Sequence, residues 1–221
     1  PLVDKPIIQY GVEEALAAGV DNIVVVTGRG KTAIEDYFDV NYELEQLLKA
    51  KPNKAAELKL VQQISDLVRI SYVRQKEALG LGHAVGVTRD LVGPEPFAVV
   101  LADDVVNAKV PCLQQLINVY NHVQSSVIAV MEVPSDRVSA YGIVDAESQE
   151  FEGESVRLFR VHDMVEKPAA AQAPSNLAII GRYILPPEIF TSLDAIEPGS
   201  GGELQLTDAI KKLMDQVAIA A

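Results

Sequence analysis

Two carboxylates in succession, Asp103 and Asp104, close the apolar run Phe97-Ala98-Val99-Val100-Leu101-Ala102. Adjacent acids repel unless a cation sits near them, and Mg²⁺, usually held by one or two carboxylates plus substrate phosphates, is the natural guest. The plainer alternative is an Asp-Asp pair that opens a turn. Upstream, Gln75 presents a side-chain amide whose acceptor and donor match the N3–H and O4 edge of uracil or thymine. Gly80 and Gly82 follow, where a flat base and ribose could approach the backbone; a surface loop with a glycine-led helix start would read the same way. Downstream, Glu166-Lys167-Pro168 sets an acceptor for sugar hydroxyls beside a cation for phosphate oxygens, or else a commonplace surface pair. Tyr141-Gly142 reads as a backbone-lined sugar contact or simply as a strand start.

The elements that must carry these groups follow from periodicity. Phe97–Leu101, Val-rich and preceded by Pro94 and Pro96, reads as a strand buried on both faces of a parallel sheet, with the acids at its carboxyl end. Ile7, Ile8, Val12, Ala15 and Leu16 recur at helical spacing, with Pro6 in the first turn, Asp4 as cap and Gly19 at the end. Residues 22–27 and 126–133 read as buried strands, and 69–73 as an alternating one. Two helices separated near Pro52 fill 40–68, an insertion polar enough to lie outside the sheet. Helices are also predicted over 31–38, from Gly80 toward Asp90, over 113–122 and over 203–214. Residues 141–145 and 158–165 read as an antiparallel, more exposed region, and 178–184 as a further strand. Strand and helix alternate, which predicts a single α/β domain over 1–221, with no internal repeat and no long linker.

Composition narrows the partners. A net charge of −12 argues against nucleic acid held through a broad basic surface. It also requires any phosphate ligand to be held by local cations, backbone N–H groups or metal. One cysteine, Cys112, excludes an internal disulfide framework and suits a reducing cytoplasm. No apolar run is long enough to cross a bilayer, so no membrane partner is expected. Thr27-Gly28-Arg29-Gly30-Lys31-Thr32 invites two phosphate-loop readings, but Val25 and Ala33 stand where each would place a glycine. That loop reads as an ordinary strand–helix connection. His83 and His122 lack neighbours at metal-ligand spacing, and Cys112 reads as a buried filler.

Taken in order, several strings identify a family. They are Pro1-Leu-Val-Asp-Lys-Pro6, Val73-Arg-Gln-Lys-Glu-Ala-Leu-Gly-Leu-Gly-His-Ala84, Leu101-Ala-Asp-Asp104 and Ala140-Tyr-Gly-Ile-Val144. Val165-Glu-Lys-Pro168, Ser175-Asn-Leu-Ala-Ile-Ile-Gly-Arg-Tyr183 and Glu203-Leu-Gln-Leu-Thr-Asp208 complete the set. Over essentially its whole length the chain resembles the bacterial UTP–glucose-1-phosphate uridylyltransferases of the sugar-nucleotide pyrophosphorylase superfamily. The resemblance implies a three-layer, Rossmann-like α/β fold with a mostly parallel central sheet, helices on both faces and a small antiparallel region. It implies that Gln75 reads uracil, Gly80 borders the base and Asp103 coordinates Mg²⁺. Gly142 would contact the hexose, Glu166 would bind glucose hydroxyls and Lys167 the sugar phosphate, so that Lys167 and Asp103 are the catalytic pair. UTP, glucose 1-phosphate and UDP-glucose are the implied ligands, and a dimer or tetramer the implied assembly.

The family's glycine-rich phosphate loop and catalytic lysine would precede Pro1, and its second metal-binding aspartate would follow Ala221. The chain as it stands is therefore expected to build an incomplete site, through omitted segments or truncation. The expected chemistry is in-line attack of the sugar phosphate on the α-phosphorus of UTP, with pyrophosphate leaving opposite. Two other readings use the same residues. A metal-dependent glycosyltransferase would release UDP, and a non-catalytic sugar-nucleotide binder would show no turnover.

Overall fold

A computed structural model describes residues 2, 3, 5–150 and 157–221. Asp4, the expected cap of the first helix, lies outside the described residues. The chain forms two compact units, Val20–Ala78 and, together, Pro1–Gly19 with Leu79–Ala221.

The smaller unit is a strand–helices–strand crossover. Strands β1 (Asn22–Thr27) and β2 (Arg69–Arg74) pair in parallel, with Thr27 opposite Arg74. Both strands therefore end at the same edge, where the Gln75 N–H donates to the Thr27 carbonyl at 2.8 Å. Helices Thr32–Phe38, Tyr42–Lys49 and Ala55–Ser65 make the connection, broken by a 3₁₀ turn at Pro52–Lys54. Asn41 caps the second of these by accepting from the Leu44 N–H at 3.0 Å. Buried Glu45 accepts from Lys49 and from Gln62, each at 3.0 Å, and so ties the second helix to the third. Residues 28–31 join β1 to helix Thr32–Phe38, the strand–helix order that the sequence predicts.

The larger unit is built on a six-stranded sheet. Its strands are β3 (Phe97–Val100), β4 (Ser126–Glu132), β5 (Gly142–Gln149), β6 (Leu158–Glu166), β7 (Leu177–Leu185) and β8 (Ile219–Ala220), in the order β3-β7-β4-β8-β6-β5. Among the described residues of this sheet, β4–β8 alone is parallel and the other ladders are antiparallel. The α/β layout with parallel pairing and an antiparallel region is present, and the antiparallel region is larger than the strand–helix alternation predicts. β3 itself runs antiparallel to β7 and is only partly buried, contrary to the parallel, fully buried strand expected of it. A continuous apolar run reports which faces are covered, not which way the neighbour runs.

β7 does the most to shape the site. Its first half pairs with β5 through Ala178 and its second half with β3 through Arg182–Leu185, while β4 lies along the other side. The change of partner falls at Gly181, where φ is +70° and the β4 register shifts. Helix Leu206–Leu213 seals the core with Leu206, Ile210 and Leu213, all essentially inaccessible, and burial of each such side chain contributes about 2 kcal/mol. Asp208 in its first turn and Lys211 and Lys212 in its last complement the helix dipole. Among the described residues no helix is long and apolar enough to cross a membrane.

Candidate active site

The antiparallel register of β5 and β6 sets Gly142 directly opposite Glu166. The hydroxyl of Thr207, at the start of helix Leu206–Leu213, donates to Glu166 Oε2 at 2.6 Å. A Cβ on Gly142 would stand 3.1 Å from that carboxylate oxygen and 3.1 Å from the Thr207 hydroxyl. The missing side chain thus keeps carboxylate and hydroxyl close against the strand. One residue on, Lys167 turns into the left-handed region with φ +45°, its N–H donating to the Tyr141 carbonyl at 3.0 Å. For a residue with a Cβ this conformation costs about 1–2 kcal/mol, which the surrounding strand ends must hold in place. Its ammonium lies 3.7 Å from Glu166 Oε1 and remains half exposed.

The acidic turn after β3 is fastened from behind. The Leu101 N–H donates to the Gly181 carbonyl at 2.9 Å. The Leu101 side chain covers Gly181 so closely that a Cβ there would fall 2.8 Å from Leu101 Cβ. Arg182, 1% exposed, donates to the carbonyls of Leu101 (3.0 Å) and Asp104 (2.7 Å) and pairs with Glu14 at 2.8 Å. Asp103 and Asp104 are both exposed as residues. Partial desolvation of the Asp104 carboxyl, then the neighbouring Asp103 charge, raises it above the ordinary carboxylate range against the opposing pull of Arg182.

Buried Tyr183 relates the two groups of acids. Burial first, and then Glu166, Asp104 and Asp103 in that order, hold its phenol well above the ordinary range. The carboxylates of the β6 end and of the β3 turn therefore act on one ring. Burial likewise pushes the Cys112 thiol up to about 11, with Glu14 adding to it, which suits a packed side chain and not a nucleophile.

Gly80 lies in the same larger unit, directly before helix Leu81–Gly86, with φ +104°. A Cβ there would meet the Leu204 carbonyl oxygen at 2.7 Å and Glu203 Cβ at 2.8 Å. Gly82 is equally tight against Leu204, whose carbonyl accepts the Gly82 N–H at 2.8 Å. Both glycines are thus required by chain packing, independently of any ligand. Gly80→Ala is expected to lower the heat-denaturation midpoint by on the order of 5 °C, measured by circular dichroism, since strain and backbone clash combine. Gln75 closes β2 in the smaller unit, beside Thr27.

The larger unit therefore brings Gly142, Glu166, Lys167 and Thr207 together, and Arg182 fastens the turn that carries Asp103 and Asp104. Gly80 stands apart from them, reached through the segment 203–208. Sequence reasoning missed Thr207, Tyr183, Arg182 and Glu14 as parts of this arrangement. Three of them lie in strings that the sequence singled out, Ser175–Tyr183 and Glu203–Asp208, but nothing in residue type or spacing tells what they touch. Glu14, on an ordinary amphipathic helix, carried no signal at all.

Comparison with known proteins identifies the family. The nucleotidyl transferase family profile matches residues 1–220. The UTP–glucose-1-phosphate uridylyltransferase of Bacillus subtilis is 50% identical over 213 residues, covering 96% of this chain and 71% of its own. The enzyme of that name from Staphylococcus haemolyticus is 50% identical over 221 residues, 100% of this chain and 75% of its own. A UDP-glucose pyrophosphorylase solved in complex with UDP-glucose superposes with a TM-score of 0.86 at 43% identity, covering 100% of this chain and 79% of that one. A UTP-bound enzyme from Acinetobacter baumannii gives 0.84 at 39%, with 100% and 75% covered. On these matches, and on a fold that agrees with them, the chain belongs to the nucleotidyl transferase family, as a member of its UTP–glucose-1-phosphate uridylyltransferase branch.

Proposed function

We propose that this chain transfers UMP from UTP to glucose 1-phosphate, giving UDP-glucose and pyrophosphate, with residues 1–221 acting as one catalytic domain. The observation that carries the reading is the meeting of Glu166, Gly142 and Thr207 beside a half-exposed Lys167. Glu166 receives the sugar hydroxyls, the Gly142 backbone lies along the hexose, and the Lys167 ammonium takes the sugar phosphate. Gln75 reads the uracil edge and Gly80 borders the base. These local groups offset an acidic surface whose more distant charges are screened by salt.

Mg²⁺ fits the β3 turn. Two acids share one exposed turn, and the nearby Arg182 is committed to carbonyls and Glu14. Among the described residues no cluster of three or more His, Cys, Asp or Glu groups could enclose a metal alone. A cation here would be held by Asp103, with Asp104 beside it, and completed by phosphate oxygens and water, the habit of Mg²⁺. When bound, it supplies charge neutralisation at the reacting phosphates. The protein's own task is positioning: Glu166 and Gly142 orient the hexose so that its phosphate faces the α-phosphorus in line, and Lys167 counters the charge on that phosphate.

Full-length protein incubated with UTP, glucose 1-phosphate and Mg²⁺ should release pyrophosphate in step with UDP-glucose. Release of UDP from a nucleotide sugar would identify a glycosyltransferase instead, and binding of UDP-glucose with no turnover a sugar-nucleotide sensor. Thr207→Val tests the sugar end. With its hydrogen bond removed, Glu166 loses its orientation, and KM for glucose 1-phosphate should rise about tenfold while KM for UTP stays put. Thr207→Ser, which keeps the hydroxyl, should stay near wild type in steady-state kinetics. A homo-oligomer in the cytoplasm completes the proposal, and light scattering of the purified protein tests its assembly as a dimer or tetramer.

A further inference from the structure

Arg182 is buried, yet it points its guanidinium at the backbone of the one turn that carries Asp103. Nη1 donates to the Leu101 carbonyl at 3.0 Å, and Nη2 donates to the Asp104 carbonyl at 2.7 Å and to Glu14 Oε2 at 2.8 Å. The two carbonyls bracket Ala102 and Asp103. Glu14 is itself held, since its Oε1 accepts the Leu113 N–H at 3.1 Å. Helix Ile7–Ala17, which carries Glu14, lies directly on β3: a Cβ on Gly11 would stand 3.3 Å from Val100 Cγ1.

A buried ion pair is a poor device for stability, because desolvation of both charges offsets most of their attraction, and an apolar pair of the same volume often does as well. An apolar pair cannot hold two carbonyls at a set spacing. A planar guanidinium can, with donors in a rigid fork, whereas a lysine ammonium is a point charge without that geometry.

We propose that Arg182 and Glu14 are positioning residues, which fix the Leu101–Asp104 turn so that the Asp103 carboxylate is preorganised for a divalent cation. The inference rests on the reading of Asp103 as a metal ligand. Loss of a partner behind a metal ligand typically weakens metal affinity by about tenfold to a hundredfold.

The test is Mn²⁺ binding, followed by electron paramagnetic resonance with UDP-glucose present, on full-length wild type, Arg182→Lys, Glu14→Gln and Asp103→Asn. Metal-free UDP-glucose affinity, by calorimetry, and the heat-denaturation midpoint are measured alongside. Arg182→Lys should weaken Mn²⁺ binding about tenfold with metal-free UDP-glucose affinity unchanged. Glu14→Gln keeps an acceptor for the Leu113 N–H and should shift Mn²⁺ binding in the same direction by less; it decides the matter if Arg182→Lys does not fold. Wild-type Mn²⁺ affinity in the folded variants overturns the proposal, as does a parallel fall in metal-free UDP-glucose affinity, which would mean general disruption. Wild-type Mn²⁺ affinity in Asp103→Asn would instead overturn the metal reading on which the proposal stands.

Discussion

Lys167→Ala should turn over UTP and glucose 1-phosphate at about a hundredth of the wild-type rate or slower, in a pyrophosphate-release assay on full-length protein. The size follows from the usual loss when one preorganised electrostatic stabiliser is removed. The structure makes the result easy to read. Lys167 has its ammonium half exposed, and its ion pair with Glu166 is long at 3.7 Å. Exposed pairs of this kind add little to stability, so the variant should fold as wild type does. A second substitution separates backbone from ammonium. Lys167 holds φ +45°, where glycine is at ease. Lys167→Gly should therefore be at least as heat-stable as wild type and as slow as the alanine variant. Wild-type turnover in either would remove Lys167 from the chemistry.

Asp103→Asn should be nearly as slow and, in contrast to most site substitutions, no less stable. Asparagine preserves shape but cannot serve as an anionic ligand for a hard cation, so turnover should fall by on the order of a hundredfold. Stability should hold or improve because the Asp103 charge disfavours ionised Asp104, and removing it relieves that repulsion. An inactive protein with an unchanged or raised denaturation midpoint is the expected pair of results. Wild-type turnover at saturating Mg²⁺ would exclude Asp103 as the metal ligand. An equal loss of activity and of folded protein would show that the turn serves the fold.

The sequence disclosed the elements far better than their neighbours. Helical spacing found Ile7–Ala17 and, between β1 and β2, Tyr42–Lys49 and Ala55–Ser65. Apolar runs found β3, β4 and β7, because a short unbroken apolar stretch bounded by turn residues reads as a strand whatever its final burial. The same runs were silent on direction, so β3 was expected to be parallel and proved antiparallel to β7. Residue chemistry singled out Glu166, Lys167 and Asp103, since charged groups at strand ends are conspicuous in one dimension. The groups that orient them were not, because their meaning lies in distance along the chain. Thr207 follows Glu166 by 41 residues and Arg182 follows Glu14 by 168, separations that no local pattern encodes. Gly80 carried a double message: it was noticed as room for a base, and the chain uses that room for Glu203 and Leu204.

That short ribbon from Glu203 to Asp208 has a wider bearing. Leu204 abuts Gly80 at one end, and at the other Thr207 grips Glu166. On the roles proposed above, Gly80 beside the base and Glu166 on the hexose, the two halves of substrate choice hang on one strut. A variant selected for a different sugar by substitution in this ribbon would carry its disturbance to the nucleobase. Retailoring the enzyme for new sugar phosphates would thus call for paired changes, one to admit the newcomer and another to restore discrimination among nucleoside triphosphates.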